Sequence, residues 1–382
     1  MAKIHITLVG GQPAPVYHGI VATQPDKVVF IYSESSRDAM EKVRSEIHMA
    51  EDKQEPLNTT DPQQIMKRAN ILAEKYKNDE VTLNISSGLK SWSHLFGRVF
   101  DSMPNASVVY MDQNNVLWNY RTMERKADFV FDMDVLFRLY GNRLENYKRL
   151  TDYTEKDLKA LDKIKNIRLF NIPDFNKLTA TLNDKQKNIL CNQNSGKFDL
   201  MANGSQSYVE WEKTTKDSIG FVRIFLARKN GKSQEVTFES ENAVDLAFNS
   251  GWFEFEVATL LSKWTKAKSI YLNCHFPFKP KVDKNEVDII VNTGTKILFV
   301  ECKTQITHTT DIDKFRSVVK GYGGTGSKGL FVTDARMTDV ARKKCEEHGL
   351  LSFSLQDDHL GMSHEKALAL LLDSELFNIN TK

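Results

Sequence analysis

The sequence lacks most of the signals that settle function quickly. No apolar run approaches the ~20 residues a membrane-spanning helix needs, so no membrane role is expected. The residues after Met1-Ala2-Lys3 lack the apolar region of a signal peptide. Four cysteines (Cys191, Cys274, Cys302, Cys345) are scattered through 382 residues without a CxxC pair. A disulfide framework or zinc site is therefore disfavoured, and a reducing cytoplasm fits. The nine histidines form no HExxH, and no GxxxxGK[ST] is present, which disfavours an ordinary ATPase. Charge of one sign is also missing. Formal net charge is +2, so any nucleic-acid contact must rest on a local patch or on metal ions. Internal repeats and low-complexity tracts are absent. What remains, 41% hydrophobic and 27% charged, describes a globular chain long enough for two or three domains.

The first third alternates strand and helix. Residues 3–9, 27–32, 81–85 and 107–111 read as strands, with helices over 37–49, from Asp61-Pro62 onward, and from the 86–90 turn to Phe100. Asp61 can cap a helix and Pro62 suits its first position. This spacing predicts a parallel, doubly wound α/β sheet. The pattern changes near 128–150, where a linker is placed. Residues 154–190 read as helical with lysine-rich faces. Residues 219–240 read as a hairpin turning at Asn230-Gly231, and 241–264 as one helix. Strands follow near 269–273, 286–291 and 296–302, then a helix over 311–320 and a last core strand at 329–333. The expected domains are 1–145, a helical, winged-helix-like region over 146–215, and 216–382.

The strand Ile297-Leu298-Phe299-Val300 stops being apolar at Glu301-Cys302-Lys303. Alternation places Phe299, Glu301 and Lys303 on one face and Cys302 on the other. The turn Asn292-Thr293-Gly294-Thr295 makes a hairpin with Glu286–Val291, so Asp288 returns beside Glu301. Two neighbouring buried carboxylates repel, and one would ordinarily take up a proton. A divalent cation removes that penalty. Mg²⁺ or Mn²⁺ takes one or two carboxylates and fills its shell with water and substrate phosphate. Lys303 faces the same spot and can orient or deprotonate a water, or neutralise phosphate charge.

This pattern resembles the PD-(D/E)XK nuclease superfamily. Asp288 precedes a hairpin that delivers Glu301-Cys302-Lys303, and Gly251-Trp252-Phe253-Glu254 resembles that family's first helical motif. The resemblance implies Asp288 and Glu301 as metal ligands, with Glu254, Asp288, Glu301 and Lys303 catalytic. Glu256 points elsewhere on its helix. Cys302 packs in the core. Gly321-Tyr322-Gly323-Gly324-Thr325-Gly326 matches GxGxxG but follows a helix and precedes a strand, so it reads as a turn. His308 and the cluster Arg342-Lys343-Lys344 read as surface groups.

Open α/β sheets bind ligands beyond the carboxyl ends of their strands. Three such ends here are small and polar: Gly10-Gly11-Gln12, Ser33-Glu34-Ser35 and Asn84–Lys90. The last feeds a helix start that suits phosphate. Asn84–Lys90 resembles the strand-end motif of CRISPR-associated Rossmann-fold (CARF) domains, with Ser86-Ser87 where many members carry Thr-Gly. Joined to a C-terminal restriction-endonuclease-like PD-(D/E)XK α/β domain, the chain is similar to the cyclic-oligoadenylate-activated nucleases of type III CRISPR systems. That resemblance implies a homodimer whose Gly10, Gly11, Gln12, Ser86, Ser87, Gly88 and Lys90 line a site for a cyclic oligoadenylate, usually of four adenylates. It implies Mn²⁺- or Mg²⁺-dependent cleavage of single-stranded DNA, RNA or plasmid DNA in antiviral defence. Two rivals remain open. One is an ungated restriction or repair nuclease. The other is a nucleotide-sensing DNA-binding regulator with a degenerate nuclease fold.

Overall fold

The computed structural model describes residues 1–112, 116–126, 132–179, 184–200, 204–294, 296–305, 308–323 and 327–377. Part of the expected linker pattern near 128, Thr295 in the hairpin turn and Gly324-Thr325-Gly326 lie outside them. The chain divides into two compact units. One is Met1–Leu144 with 292–297 and 322–326. The other is Glu145–Val291, Leu298–Gly321 and Ser327–Lys382.

The first unit is built on a seven-stranded sheet ordered Ala50–Glu51, Lys27–Ile31, Lys3–Leu8, Glu80–Asn84, Ala106–Met111, Leu117–Asn119, Glu124–Lys126. The first five strands pair in parallel and the last two antiparallel. Both faces of the central strand are covered: Ile4, Ile6 and Leu8, with Val29 and Ile31 of the next strand, are buried in one core with Trp92, Phe96 and Phe100, and the alternate His5 and Thr7 are buried on the other face. The helix Pro62–Lys75 starts as its sequence demands, with the Asp61 carboxylate accepting the Gln63 N–H at 2.9 Å. Sequence reading left out the helix Pro13–Thr23, although Pro13 occupies its first position. It also carried the helix after Arg37 to Met49, whereas the structure ends it at Ser45.

The second unit holds a six-stranded sheet ordered Leu351–Ser354, Ser327–Thr333, Ile297–Lys303, Glu286–Asn292, Ser269–His275, Asn146–Arg149, and a four-stranded antiparallel sheet ordered Ser233–Glu239, Phe221–Ala227, Tyr208–Glu212, Ser195–Asp199. The expected hairpin at Asn230-Gly231 is present, with Gly231 at φ +79°. Residues 146–215 fall inside this unit. Their helices contribute Leu161, Ile164 and Phe175 to the same core as Trp211, Trp252, Val300 and Leu368.

Two expectations are corrected here. The strand at Ser327–Thr333 is not the last, since Leu351–Ser354 pairs beside it in parallel; four residues after the left-handed Gly349 gave little pattern to read. The single helix over 241–264 is two, Ala243–Ala247 and Gly251–Ser262. Asn249 and Ser250 take positive φ, 52° and 67°, which breaks the helical hydrogen bonding. A Cβ at Gly251 would strike the carbonyl oxygen of Asp245, so only glycine lets the second helix start this close to the first.

Candidate nuclease cleft and ligand loop

That helix break sets the position of the first carboxylate. Glu254 lies in the first turn of Gly251–Ser262, and Asn249, Ser250 and Glu254 together line one wall of a cleft of about 630 Å³. The opposite wall comes from the two central strands: Glu286 and Asp288 from one, Cys302 and Lys303 from the next. Lys284, Thr304, Gln305 and Asp311 complete it, with Lys187 at the edge. Glu254, Asp288 and Lys303, named from sequence alone, therefore share one cavity.

Glu301 sits differently. It is 2% exposed and lies behind the cleft surface. Its carboxylate is held by Lys303 at 2.8 Å and by Lys284. The two strands are joined by a tight turn in which the Thr293 N–H meets the Lys296 carbonyl, and so Asp288 returns to the adjoining strand. It does not merely approach Glu301. Its Oδ2 accepts the backbone N–H of Cys302 at 2.7 Å, which fixes one oxygen against the sheet.

The electrostatics follow from burial. Desolvation pushes the Glu254 carboxyl well above the usual carboxylate range, and Asp288 and Glu286 add to the rise while Lys303 opposes it. Burial also raises Glu301, with Asp288 adding and the two lysines pulling back. For Lys303 and Lys284 burial acts to lower the ammonium pKa, but Asp288 and Glu301 outweigh it, and both stand above the ordinary lysine range. Lys303 is therefore a fixed cation near neutral pH in this arrangement, suited to neutralising a phosphate. Burial beside Asp288 and Glu254 drives the Cys302 thiol well above its normal value, and its side chain belongs to the core. Glu256 pairs with Lys165, away from the cleft.

Among the described residues no three His, Cys, Asp or Glu donors are gathered into a ready metal cluster. Glu301 carries Lys303 and Lys284 as its counter-charges. The chemistry of the donor set nevertheless fits a hard dication. Glu254, Asp288 and Glu301 offer only oxygen, and two of the three are strained toward the protonated form.

In the first unit the expected ligand loop is built by close backbone approach. The Gly10 N–H donates to Ser87 Oγ at 3.0 Å, and a Cβ on Gly10 would lie 2.7 Å from the Gly88 nitrogen. Gly88 has φ +86°, and its own Cβ would meet Leu8 Cβ at 2.9 Å. Gly10, Ser87 and Gly88 are thus one contiguous surface. Gln12 joins it through its carbonyl, 3.4 Å from Ser87 Oγ, and Gly11 is exposed with open space around its Cα. Lys90 is exposed at the first position of the helix Lys90–Asp101, whose N-cap Leu89 supplies no side-chain cap. Ser86 is committed to the fold. Its hydroxyl accepts the Met111 N–H at 2.7 Å and donates to Asn84.

Sequence reasoning passed over two groups. Lys284 and Glu286 line the cleft at the start of the strand Glu286–Asn292 but belong to no motif, and only the alternation that carries Asp288 into the cleft could have suggested Glu286. Asn84 was read as part of a ligand motif. It is fully buried, accepts the Ser86 N–H at 3.0 Å and donates to the Pro15 carbonyl, so it splints the loop from below.

Residues 4–137 match the family model of the Card1 CARF domain, so the N-terminal part of this mixed α/β chain is a CARF domain, as its strand-end loops suggested. No curated protein matches the chain. Among solved structures, Can2 from Sulfobacillus thermosulfidooxidans, in complex with cyclic tetra-adenylate, aligns over 98% of this chain and 99% of its own at 16% identity and TM-score 0.61. Protein VC1899 from Vibrio cholerae aligns over 97% and 96% at 16% identity and TM-score 0.65. A type III CRISPR defence DNA nuclease activated by cyclic oligoadenylate aligns over 97% of this chain but 52% of its own, at 14% identity and TM-score 0.53. These likenesses establish a shared two-part α/β fold. No helix among the described residues is long and apolar enough to cross a membrane.

Proposed function

We propose that this chain is a cyclic-oligoadenylate-activated, metal-dependent nuclease of type III CRISPR defence, acting as a homodimer through its PD-(D/E)XK-like C-terminal region. The observation that carries the reading is the pairing of a CARF domain with a cleft holding Glu254, Asp288 and Lys303 over a buried Glu301. Two of the similar structures support the same sense: one holds cyclic tetra-adenylate and the other is a nuclease activated by cyclic oligoadenylate.

In this reading Asp288 and Glu301, with Glu254 as a further carboxylate, would hold Mg²⁺ or Mn²⁺, which would supply Lewis-acid stabilisation of a phosphodiester. Lys303 remains protonated and balances charge on the phosphate as it builds. Asp288 is pre-set by the Cys302 N–H, so its free oxygen points where the sheet dictates. Glu254, pushed toward its protonated form by burial with Asp288 and Glu286 adding, faces the cleft as a further oxygen donor. Lys284 pairs with Glu301 and balances its charge. The activator is read by the glycine surface of Gly10, Gly11 and Gly88, by Gln12 and Ser87, and by Lys90 at the helix start; Ser86 holds the loop from within.

The test is direct. The full chain is incubated with Mn²⁺ and plasmid, single-stranded DNA or RNA, with and without each cyclic oligoadenylate. Cleavage that depends on both metal and activator supports the reading. Metal-dependent cleavage indifferent to activator points to an ungated nuclease, and binding of activator with no cleavage of any substrate points to a regulator.

A further inference from the structure

The catalytic cleft leaves one feature of the second unit unused. The loop between the strands Ser269–His275 and Glu286–Asn292 reads Phe276-Pro277-Phe278-Lys279-Pro280-Lys281-Val282-Asp283-Lys284-Asn285, with three lysines against one aspartate. Phe278 is 74% exposed, an unusual place for an aromatic ring in a chain whose other phenylalanines are mostly buried. The loop is not loose. Lys279 donates to the Gly321 carbonyl at 2.9 Å, the Asp283 N–H donates to Ser317 Oγ at 3.2 Å, and a Cβ on Gly321 would strike Val282. It is therefore docked on the second half of the helix Thr310–Tyr322. A cavity of about 610 Å³ opens there between Lys279, Lys281, Val282, Ser317 and Lys320. Among the described residues no carboxylate pairs with Lys281 or Lys320, and both are exposed. The same two elements reach the catalytic cleft at their other ends, the loop through Lys284 and the helix through Asp311. Along the helix, Asp311 is separated from Ser317 and Gly321 by about 9–15 Å.

We infer that Phe278, Lys281 and Lys320 form a nucleic-acid platform outside the cleft. Phe278 stacks on an unpaired base, and the two lysines engage neighbouring phosphates, so a strand leaving or entering the cleft is held a few nucleotides from the scissile bond. An exposed ring suits a base with an open π-face, which a duplex does not present, while lysines alone would serve duplex and single strand equally. Two proline residues flank the ring at 277 and 280 and limit the loop's freedom, which lowers the entropy lost on stacking. This inference rests on the nuclease reading for its role and on the loop and the helix it docks against for its binding chemistry.

The experiment separates the two. A fluorescein-labelled oligothymidylate and a blunt duplex of equal length are titrated by fluorescence anisotropy against the full chain carrying Glu301→Gln, so that binding is read without cleavage. Adding Phe278→Ala should weaken the single strand roughly 5- to 150-fold, the range expected for one lost stacking contact, and leave the duplex unchanged. Phe278→Trp should restore single-strand affinity. Lys281→Ala with Lys320→Ala should weaken both ligands and lower the salt dependence, by about 0.7 in slope per lost phosphate contact on the single strand. Unchanged thermal melting of each variant shows that the fold is intact. Equal losses on duplex and single strand for Phe278→Ala, or no loss on either, overturn the platform. In the parallel assay with Glu301 intact, wild-type cleavage with unaltered binding and cleavage by Phe278→Ala removes the platform and leaves the nuclease reading standing. Selective single-strand loss in a protein that never cleaves retains the platform and removes the nuclease reading.

Discussion

The two candidate sites are made of opposite materials. The loop at Gly10 and Gly88 is half-buried backbone shaped by glycine, with hydroxyls, one amide and a single exposed lysine. The cleft at Asp288 is a crowd of charge: carboxylates raised by burial, lysines raised by carboxylates, and a glutamate closed behind two ammonium groups. A site made of backbone can fit a large neutral-edged ligand with phosphates but has no group poised to transfer a proton. A site made of crowded, buried charge shifts pKa values and is a candidate for chemistry. On the proposed reading the contrast separates an activator-sensing part from a reacting part.

Substitution should break the two halves in different observables. The largest effect belongs to the cleft. Asp288→Ala or Glu301→Ala should abolish detectable cleavage while activator affinity stays at the wild-type value. Asp288→Ala also leaves the Cys302 N–H without its acceptor, so Asp288→Asn, which can keep that bond, is the cleaner variant for separating fold from chemistry. Lys303→Ala should slow cleavage by about 10²–10³, the usual effect of removing one electrostatic stabiliser. Near wild-type rates in any of these would dissolve the distinction between the halves.

Lys90→Ala is the mirror image, and its effect should be smaller. An intact cleft should respond only at higher activator concentration, about 10- to 100-fold per protomer for one lost charge-assisted bond to phosphate. Cleavage at saturating activator should match wild type if affinity alone is lost. The readout is half-maximal activator concentration, and an unchanged value would remove Lys90 from the site.

These variants could be chosen largely from sequence, and the reason is physical. Alternation in an apolar strand shows which positions break the pattern, and Glu301 and Lys303 break it conspicuously. The Asp61-Pro62 start and the Asn230-Gly231 turn were legible because capping and left-handed turns demand few residue types. Lys284 was not legible, because a lysine in a loop has no pattern to violate and only the folded chain brings it to Glu301. The helix break at Asn249-Ser250 was hidden for a related reason: the apolar residues on both sides suggest one continuous helix, and the close approach of Gly251 to Asp245 is a tertiary fact. Ser86 shows the same limit from the other side. Its motif marks it for a ligand, but its hydroxyl is engaged with Met111 and Asn84.

Next in size is a stability effect confined to the glycine loop. Gly88→Ala places a methyl 2.9 Å from Leu8 Cβ at a φ of +86° that side chains avoid. It should destabilise the N-terminal unit by about 1–3 kcal/mol, read as earlier amide exchange in Lys3–Leu8, and weaken activator binding. The strand Ile297–Lys303 should keep its protection. Loss of protection in both strands together would mean that the loop's geometry is not a local property.

The smallest effects test whether the contrast extends beneath the surface. Two buried titrating groups of the N-terminal unit are His5 and His18, each held down to about pKa 3 by burial. Folded, they stay neutral. Unfolded, they take up protons below about 6.5, so the unfolded state gains protons and stability falls as pH drops through that value, by roughly 1.4 kcal/mol per pH unit for each. The buried groups of the cleft run the other way. Glu254 and Glu301 are raised, so the folded state retains protons that the unfolded state has released, and stability falls as pH rises above the ordinary carboxylate range. Amide exchange, corrected for its intrinsic pH dependence, should therefore show Lys3–Leu8 losing protection toward acid, while Ile297–Lys303 loses it toward neutral pH in the absence of divalent metal. His5→Gln keeps a hydrogen-bonding group for Thr23, which meets the imidazole at 2.8 Å, and should flatten the acid loss in the first strand alone. Glu254→Gln should flatten the opposite trend in the second. Parallel pH profiles in the two strands, or a response of one strand to the other's variant, would show that the two units share one electrostatic economy instead of two.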